Sequence, residues 1–369
     1  MKNLKSKLHP SEWIVPFIFI SLCVIGIVYS NRPLTFIVNN VIERMGRNTF
    51  LVIALILPVV AGIGLNFSIV VGAMAAQIAL IFVIDWGFTG GTGITLALAL
   101  STFPAIIFGY LLGRLFNRAQ GREMVTGLIT GFFANGIYQL IFLFGAGTVF
   151  SIRTQTMLLT RGENADGTPR LMGVRNTVDL GPVQYALDDF LKWEGFRSLE
   201  MRTGITIPFF TFLLVVLACV FVVYFKKTKL GQEMKAMGHN LHVAQVSGIA
   251  VKRNRIIATI ISTVMAAWGQ IIFLQNMGTI NTYNSHEQVG MFAIAALLVS
   301  GATVSRATVW NAIFGTLLFH TLFLTSPLAG NTLFGEAQLG EYFRVFVAYG
   351  VIAVALALHA WKGKKKRTA

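Results

Sequence analysis

Few side chains in this 369-residue sequence stand at spacings that could make or break covalent bonds. His286-Glu287 opens the string of a helical zinc protease site, but the position that must supply the second imidazole is Gly290. His239 and His242 are three apart and could share a helix face, yet no third ligand stands near them, and a zinc site needs at least three protein ligands. They read as solvated residues of a loop. No Gly-x-Ser-x-Gly elbow occurs. The one Gly-Lys pair is Gly363-Lys364, with Leu358 where a phosphate-binding loop needs its first glycine. Cys23 and Cys219 lie in separate apolar runs, with neither metal nor redox spacing. The expectation is a chain without catalytic residues, metal ligands or a bound cofactor.

A second set of residues can recognise without reacting. Asn66, Gln77, Asn135, Gln139, Gln270, Gln275 and Asn311 are polar, uncharged and set in apolar surroundings. Such groups either line a path for a polar neutral solute or hydrogen-bond between helices, the latter worth about 0.6 kcal/mol each on average. His320 is an ionisable residue deep in an apolar run and reads as a packed, hydrogen-bonded side chain.

The elements that hold these residues are set by composition. Of the sequence, 55% is hydrophobic and 12% charged, with a mean hydropathy of +0.69. Soluble domains carry about 25% charged residues, so an ordinary soluble globule, a disordered chain and a disulfide scaffold are excluded. A membrane helix needs about 20 apolar residues. Runs that meet this lie at Trp13–Tyr29, 49–65, 67–84, 95–113, 124–146, 205–225, 256–275, 289–304, 307–327 and 342–361. The expected architecture is all-α, a polytopic bundle of about ten transmembrane helices, some of them broken. The first run lacks a cleavage site and reads as an uncleaved anchor.

The net charge of +15 would suggest nucleic acid in a soluble protein. Sorted along alternating spans, it reports topology instead. With the N-terminus inside, the segments at 1–12, 114–123, 226–255, Arg306 and the tail hold 19 of the 30 basic residues, but only Glu12, Glu123 and Glu233 among the acids. The inner side then carries +16 and the outer side −1. Both termini are expected in the cytoplasm. No Asp, Glu, Lys or Arg occurs in 49–84, 94–113, 124–150, 204–225, 256–277 or 307–333. Intramembrane charges mark ion relays, so their scarcity argues against a proton-coupled transporter. A sodium-coupled one, which can use carbonyls and hydroxyls, is less disfavoured.

Three stretches carry further information. Ala61-Gly-Ile-Gly-Leu-Asn-Phe-Ser68 interrupts an apolar run with two glycines and an asparagine. Backbone breaks at membrane depth point to a solute path. Gly62, Gly64, Asn66, Gln77, Asn135 and Gln139 are the candidate lining residues. The inner loop 226–255 reads as a short helix at Gln232–Met237, a break at Gly238, a second helix at Leu241–Val246 and a turn at Gly248. Such an element suits a docking knob for a cytosolic protein, since small Ala236 and Gly238 let a partner approach the backbone and Ala244 keeps the second helix face flat; a basic loop on anionic lipid fits the lysines but does not explain the small residues. The outer segment 147–204, with a surface helix expected at Val183–Trp193, is either a docking surface or a variable insertion. Glycine pairs Gly109/Gly113 and Gly127/Gly131 have the spacing that lets helices approach closely.

Gly231-x-x-x-x-Ala236-x-Gly238-x-Asn240-x-x-x-Ala244-x-x-Ser247-Gly248-Ile249 resembles the cytoplasmic coupling loop of ABC importer permeases. The likeness is closest to the branched-chain amino acid and simple-sugar or nucleoside permease family. Gly62-Ile-Gly-Leu-Asn-Phe-Ser-x-x-x-Gly72 is similar to that family's Gly-Ile-Asp-Leu-Ser-x-Gly segment, with Asn66 where aspartate is common. Phe292-Ala-Ile-Ala-Ala-Leu-Leu-Val-Ser-Gly-Ala302 resembles its Ala-Ile-Ala-x-x-x-Leu-Gly-Gly, with Ser300-Gly301 for the paired glycines. The resemblance spans roughly residues 50–360 and implies one transmembrane permease domain over 1–369, with 147–204 as an extracytoplasmic insertion and 226–255 as the coupling loop. It further implies a bacterial inner-membrane protein paired with a second permease and two cytosolic ATPase subunits that bind ATP and magnesium. An extracytoplasmic solute-binding protein would complete the assembly. Gly231, Ala236, Gly238, Asn240, Ala244 and Gly248 would couple to the ATPases. The solute would be a sugar or nucleoside, or alternatively a branched-chain amino acid. A self-sufficient gradient-driven transporter is the rival at this point.

Overall fold

The computed structural model describes residues 11–163, 166, 168–188 and 205–367. Its helices are α1 (Ser11–Tyr29), α2 (Leu34–Ala54), α3 (Ile56–Val60), α4 (Ile69–Asp85), α5 (Gly90–Arg118), α6 (Glu123–Leu140), α7 (Phe209–Phe225), α8 (Lys229–His239), α9 (Leu241–Val246), α10 (Val251–Met277), α11 (Glu287–Val299), α12 (Val309–Phe334) and α13 (Ala337–Arg367). The fold is all-α and polytopic, as composition requires. Among the described residues, four helices are long and apolar enough to cross a membrane: Gly90–Arg118, Glu123–Gly145, Val251–Met277 and Val309–Phe334. The pair Phe209–Phe225 and Lys229–His239, bent by 76°, is a fifth such element if counted together. Val15–Tyr29, Ile69–Asp85 and Val289–Val299 are shorter apolar helices.

Two details depart from the hydropathy pattern. The run expected over 49–65 is divided, because α2 ends at Ala54 and the one-turn α3 stops at Val60 before the glycine break. Glu43, Arg44 and Arg47, which precede the apolar run at 49–65, lie inside α2, and Glu341 and Arg344 lie inside α13.

The chain forms two compact units. The first comprises Met1–Met45, Glu200–Ile207 and Phe292–Ala369. Within it α12 packs on α1 and α13. The Cys23 thiol donates to Leu318 O (3.2 Å), so it serves as a buried packing group. His320 is buried with Phe319 and Phe323 as ring neighbours, in line with the sequence reading. Asn311 belongs to a capping box with Thr308 and donates to Ser300 O (3.2 Å), a helix-end role. Ser300-Gly301 forms the turn that ends α11.

The second unit, Gly46–Leu199 with Pro208–Met291, carries every other feature of interest. Its centre is α10, packed on α5 and α4. A methyl on Gly109 or Gly113 would lie 2.7 Å from Ile260 Cα or Ile256 Cα, so these two positions admit only glycine at this helix separation. That is the close approach the small-residue spacing predicted. The outer segment contains two-stranded pieces that the sequence reading did not foresee. β1 (Leu158–Glu163) pairs antiparallel with β2 (Pro169–Val174), and β3 (Thr177–Asp179) with β4 (Thr279–Asn281). Asp166, in the β1–β2 connection, accepts from Thr168 Oγ1 (2.7 Å) and Thr168 N (3.1 Å), which holds its carboxyl below the usual range. Thr154 N donates to Asp85 Oδ1 (2.8 Å) and Tyr185 N to Gln275 O (3.1 Å), tying the segment to the ends of α4 and α10. Of the helix expected at Val183–Trp193, residues 183–188 form a short turn structure, and 189–193 lie outside the described residues.

Candidate functional site

The break after α3 is built from backbone geometry. Gly62 (φ +73°) and Gly64 (φ +87°) adopt left-handed conformations that cost other residues about 1–2 kcal/mol each. Asn66 follows, almost fully buried, and its side chain is spent on structure. Its Oδ1 accepts from Ser68 N (3.1 Å) and Ser68 Oγ (2.5 Å), and its Nδ2 donates to Ser262 Oγ on α10 (3.3 Å). The asparagine thus shapes the entry to α4 and ties it to α10.

The helix pair α8–α9 meets this break directly. α8 continues through Gly238 to His239, so the interruption predicted at Gly238 falls instead at Asn240 (φ −155°, ψ 107°). The Asn240 side chain accepts from Val243 N (3.1 Å) and starts α9. Gly238 is needed for contact rather than for a turn: any side chain there would collide with Val60 O, the last residue of α3. Reciprocally, a methyl on Gly62 would lie 3.0 Å from Gly238 Cα. Gly231 sits as tightly against Phe225 O at the bend between α7 and α8. Ala244 is buried with Met237 and Val251 beneath α9, so it packs the pair together instead of presenting a flat outer face. Ala236, Asn240 and Gly248 are exposed, and so are Val243 (56%) and Val246 (77%), two apolar positions that the sequence motif did not single out.

Polar contacts brace the same end. Asn254 Nδ2 donates to Glu233 Oε2 (2.7 Å), linking α8 to α10. Asn117 Nδ2 donates to Lys252 O (2.8 Å), linking α5 to α10. Arg255 is 1% exposed and forms a buried ion pair with Glu123 at the start of α6.

A separate polar cluster occupies the middle of the helices. Gln77 is the ninth of the 17 residues of α4, and Asn135 lies near the middle of the 23-residue span Glu123–Gly145. His286 joins them: its Nδ1 is 2.7 Å from the Gln77 side chain and its Nε2 is 2.7 Å from Asn135 Oδ1. Gln139 Nε2 donates to the same Asn135 oxygen (3.3 Å), and Asn135 Nδ2 donates to the Glu287 carboxylate. Gln77 and His286 are fully buried; Glu287 is exposed. The acceptor-only carboxylate orders the chain. It makes Asn135 Nδ2 the donor and Asn135 Oδ1 the acceptor, so His286 Nε2 carries a proton. A neutral imidazole then accepts at Nδ1, which requires the Gln77 amide to present its NH2 there and gives that otherwise unpartnered Nε2 a hydrogen bond.

Next to this cluster lies a partly open pocket enclosing about 390 Å3 of space, open solvent included. Phe67, Val70, Phe132, Asn135, Glu287 and Met291 contribute to its wall. Of the candidate path residues, Gln77, Asn135 and Gln139 are therefore brought together, with Asn135 reaching the pocket. Gly62, Gly64 and Asn66 form the break one residue before Phe67. Gln270, which donates to Ser285 O (3.3 Å), and Gln275, whose Oε1 accepts from Leu187 N (3.5 Å), fix loops. His286 and Glu287 were missed by the sequence reading, which saw only a failed zinc string. The signal for them was indirect: Gln77 and Asn135, amides at the middle of apolar helices, need partners that their own helices do not fully supply. No cluster of three metal-ligating residues exists among the described residues.

A family model for the permease component of branched-chain amino acid transport systems matches residues 37–356. The chain belongs to this family. The permease is also similar to two curated proteins: a probable ABC transporter permease, YphD of Escherichia coli, at 30% identity over 120 residues, and XylH, a xylose transport system permease of Haemophilus influenzae, at 30% over 97 residues. These matches cover 32% and 26% of the chain, which spans only 34% and 26% of the relatives' lengths. No solved structure matches. The chain is thus a polytopic member of a permease family, one of transport components rather than enzymes.

Proposed function

We propose that this permease is the transmembrane subunit of an importer that moves a neutral polar solute, a sugar or nucleoside, inward by alternating access. In this reading it pairs with itself or a sister permease in the bacterial inner membrane, both termini in the cytoplasm. Two cytosolic ATPases, which bind ATP and magnesium, dock on α8–α9, and an extracytoplasmic binding protein delivers the solute. The coupling set is Gly231, Ala236, Gly238, Asn240, Ala244 and Gly248. The path set is Gly62, Gly64, Asn66, Gln77, Asn135 and Gln139, with 147–204 as the outer insertion.

The observation that carries the reading is the backbone contact between Gly238 and the Val60–Gly62 break. A push on α8–α9 has no flexible side chain to absorb it before it reaches α3, and α4 begins nine residues after α3 ends. The name of the Haemophilus relative supports a sugar. The test is co-purification and uptake in the assembled transporter. Val243→Asp and Val246→Asp alter exposed positions and leave folding intact, so they are expected to release the ATPase and stop ATP-driven uptake at normal permease abundance. Wild-type uptake with both substitutions present would remove the docking assignment.

A further inference from the structure

The exposed carboxylate of Glu287 stands at the start of α11, beside a helix long and apolar enough to cross a membrane. Its partner Asn135 sits near the middle of a span, and an ionisable group at that depth is by default a functional one. Asn135 is its one side-chain partner among the described residues, so part of the carboxylate's acceptor capacity is open to the pocket. Behind Asn135 stand Gln139 and His286, which both bond its Oδ1, and Gln77, which reaches His286. The wall opposite is aromatic and aliphatic, with Phe132 65% exposed.

This donor and acceptor set narrows the ligand. An anion would meet Glu287 as a like charge. A zwitterionic amino acid could place its ammonium there, but none of the residues lining the pocket is basic, and its carboxylate would be left unpaired. A neutral sugar ring satisfies both walls: adjacent hydroxyls donate to a carboxylate, and the C–H face packs on an aromatic ring. Building on the importer reading, we propose that this pocket is a solute subsite of the permease. In it Glu287 accepts the vicinal hydroxyls of a sugar ring, either free or in a nucleoside, Asn135 fixes the carboxylate, and Phe67 and Phe132 flank the ring. Glu287 is the specificity-determining residue, and Gln77 and His286 are positioning residues.

The experiment uses the permease assembled with its ATPase and binding protein in vesicles, at saturating binding protein. Uptake of D-ribose, D-xylose and uridine is measured against their 2-deoxy counterparts. The wild type is expected to carry at least one of the hydroxylated probes at least tenfold faster than its deoxy partner. Glu287→Gln keeps size and folding but weakens the acceptor, and should bring that ratio down at least fivefold by slowing the hydroxylated probe. Phe132→Ala, at an exposed position, should slow both members of each pair alike. A ratio unchanged in Glu287→Gln overturns the proposal. So does ATP-driven uptake of L-leucine in place of all three probes, which would leave the importer reading standing. Absence of ATP-driven uptake of any probe, leucine included, would instead count against the importer reading itself.

Discussion

Gly238 and Gly62 meet backbone to backbone, a methyl on Gly62 falling 3.0 Å from Gly238 Cα. They are 176 residues apart, and each belongs to a stretch that its own sequence marks as unusual. The contact joins two motifs: the α8–α9 helix pair and the helix break that precedes Phe67 of the pocket wall.

Gly62→Ala tests that element from the membrane side. Alanine must enter a left-handed conformation at a cost of about 1–2 kcal/mol and must also push Gly238 away. The expected phenotype is an abundant permease that binds the ATPase but transports little, because the docking face is untouched and its link to the break is loosened. Uptake within twofold of wild type would show that the contact carries no motion.

Asn240→Ala removes the cap of α9, worth about 1 kcal/mol. A six-residue helix has little else to hold it, so amide hydrogen exchange across Leu241–Val246 should accelerate about fivefold while α10 is unchanged. Asn240→Asp keeps the acceptor and should behave as wild type. If α9 exchanges normally in Asn240→Ala, the buried Ala244 cluster, not the cap, holds the helix.

Arg255 and Glu123 form a buried pair, and buried pairs respond asymmetrically. Arg255→Ala alone strands a carboxylate and should cost about 3–5 kcal/mol. Arg255→Met with Glu123→Leu replaces both charges by apolar groups and should cost much less than that single change. Thermal unfolding in lipid nanodiscs measures the difference. A double variant no more stable than Arg255→Ala would mean that the pair's geometry, and not the stranded charge, sets the loss.

Much of this site was legible in the sequence because it rests on local rules. Apolar run length gave the apolar helices, though of the ten runs expected to span only four are long enough to cross a membrane among the described residues; paired glycines gave the α5–α10 approach, and Gly62–Gly64 gave the break. What escaped depends on chain folding. Gly238 suggested a turn, since glycine permits both turns and close contacts and only the neighbour decides between them. His286 and Glu287 precede an apolar run and looked like loop residues. They acquire meaning because Asn135, 151 residues before His286, presents an amide to each. The small β pieces of 147–204 lack a clear period and are fixed by partners at 279–281.

The proton order in the central cluster gives the last prediction. From the carboxylate inward, Asn135 donates to Glu287, and a neutral ring has His286 Nε2 donate to Asn135 and Nδ1 accept from the Gln77 amide once that amide is turned to bring its NH2, in place of Oε1, to the ring. Nitrogen-15 shifts of labelled His286 should therefore show one protonated and one unprotonated ring nitrogen, with Nδ1 the bare one; two protonated nitrogens would overturn the order. The energetics follow from the same chain. Gln77→Leu leaves a buried ring nitrogen unpaired, at about 1–3 kcal/mol. His286→Leu strands both amides and should cost at least as much. Because these penalties describe one bond seen from its two ends, the double variant should fall short of their sum by about 1–2 kcal/mol. Additive losses would mean that Gln77 and His286 do not bond to each other, and the carboxylate would then lack the support that holds Asn135 in place.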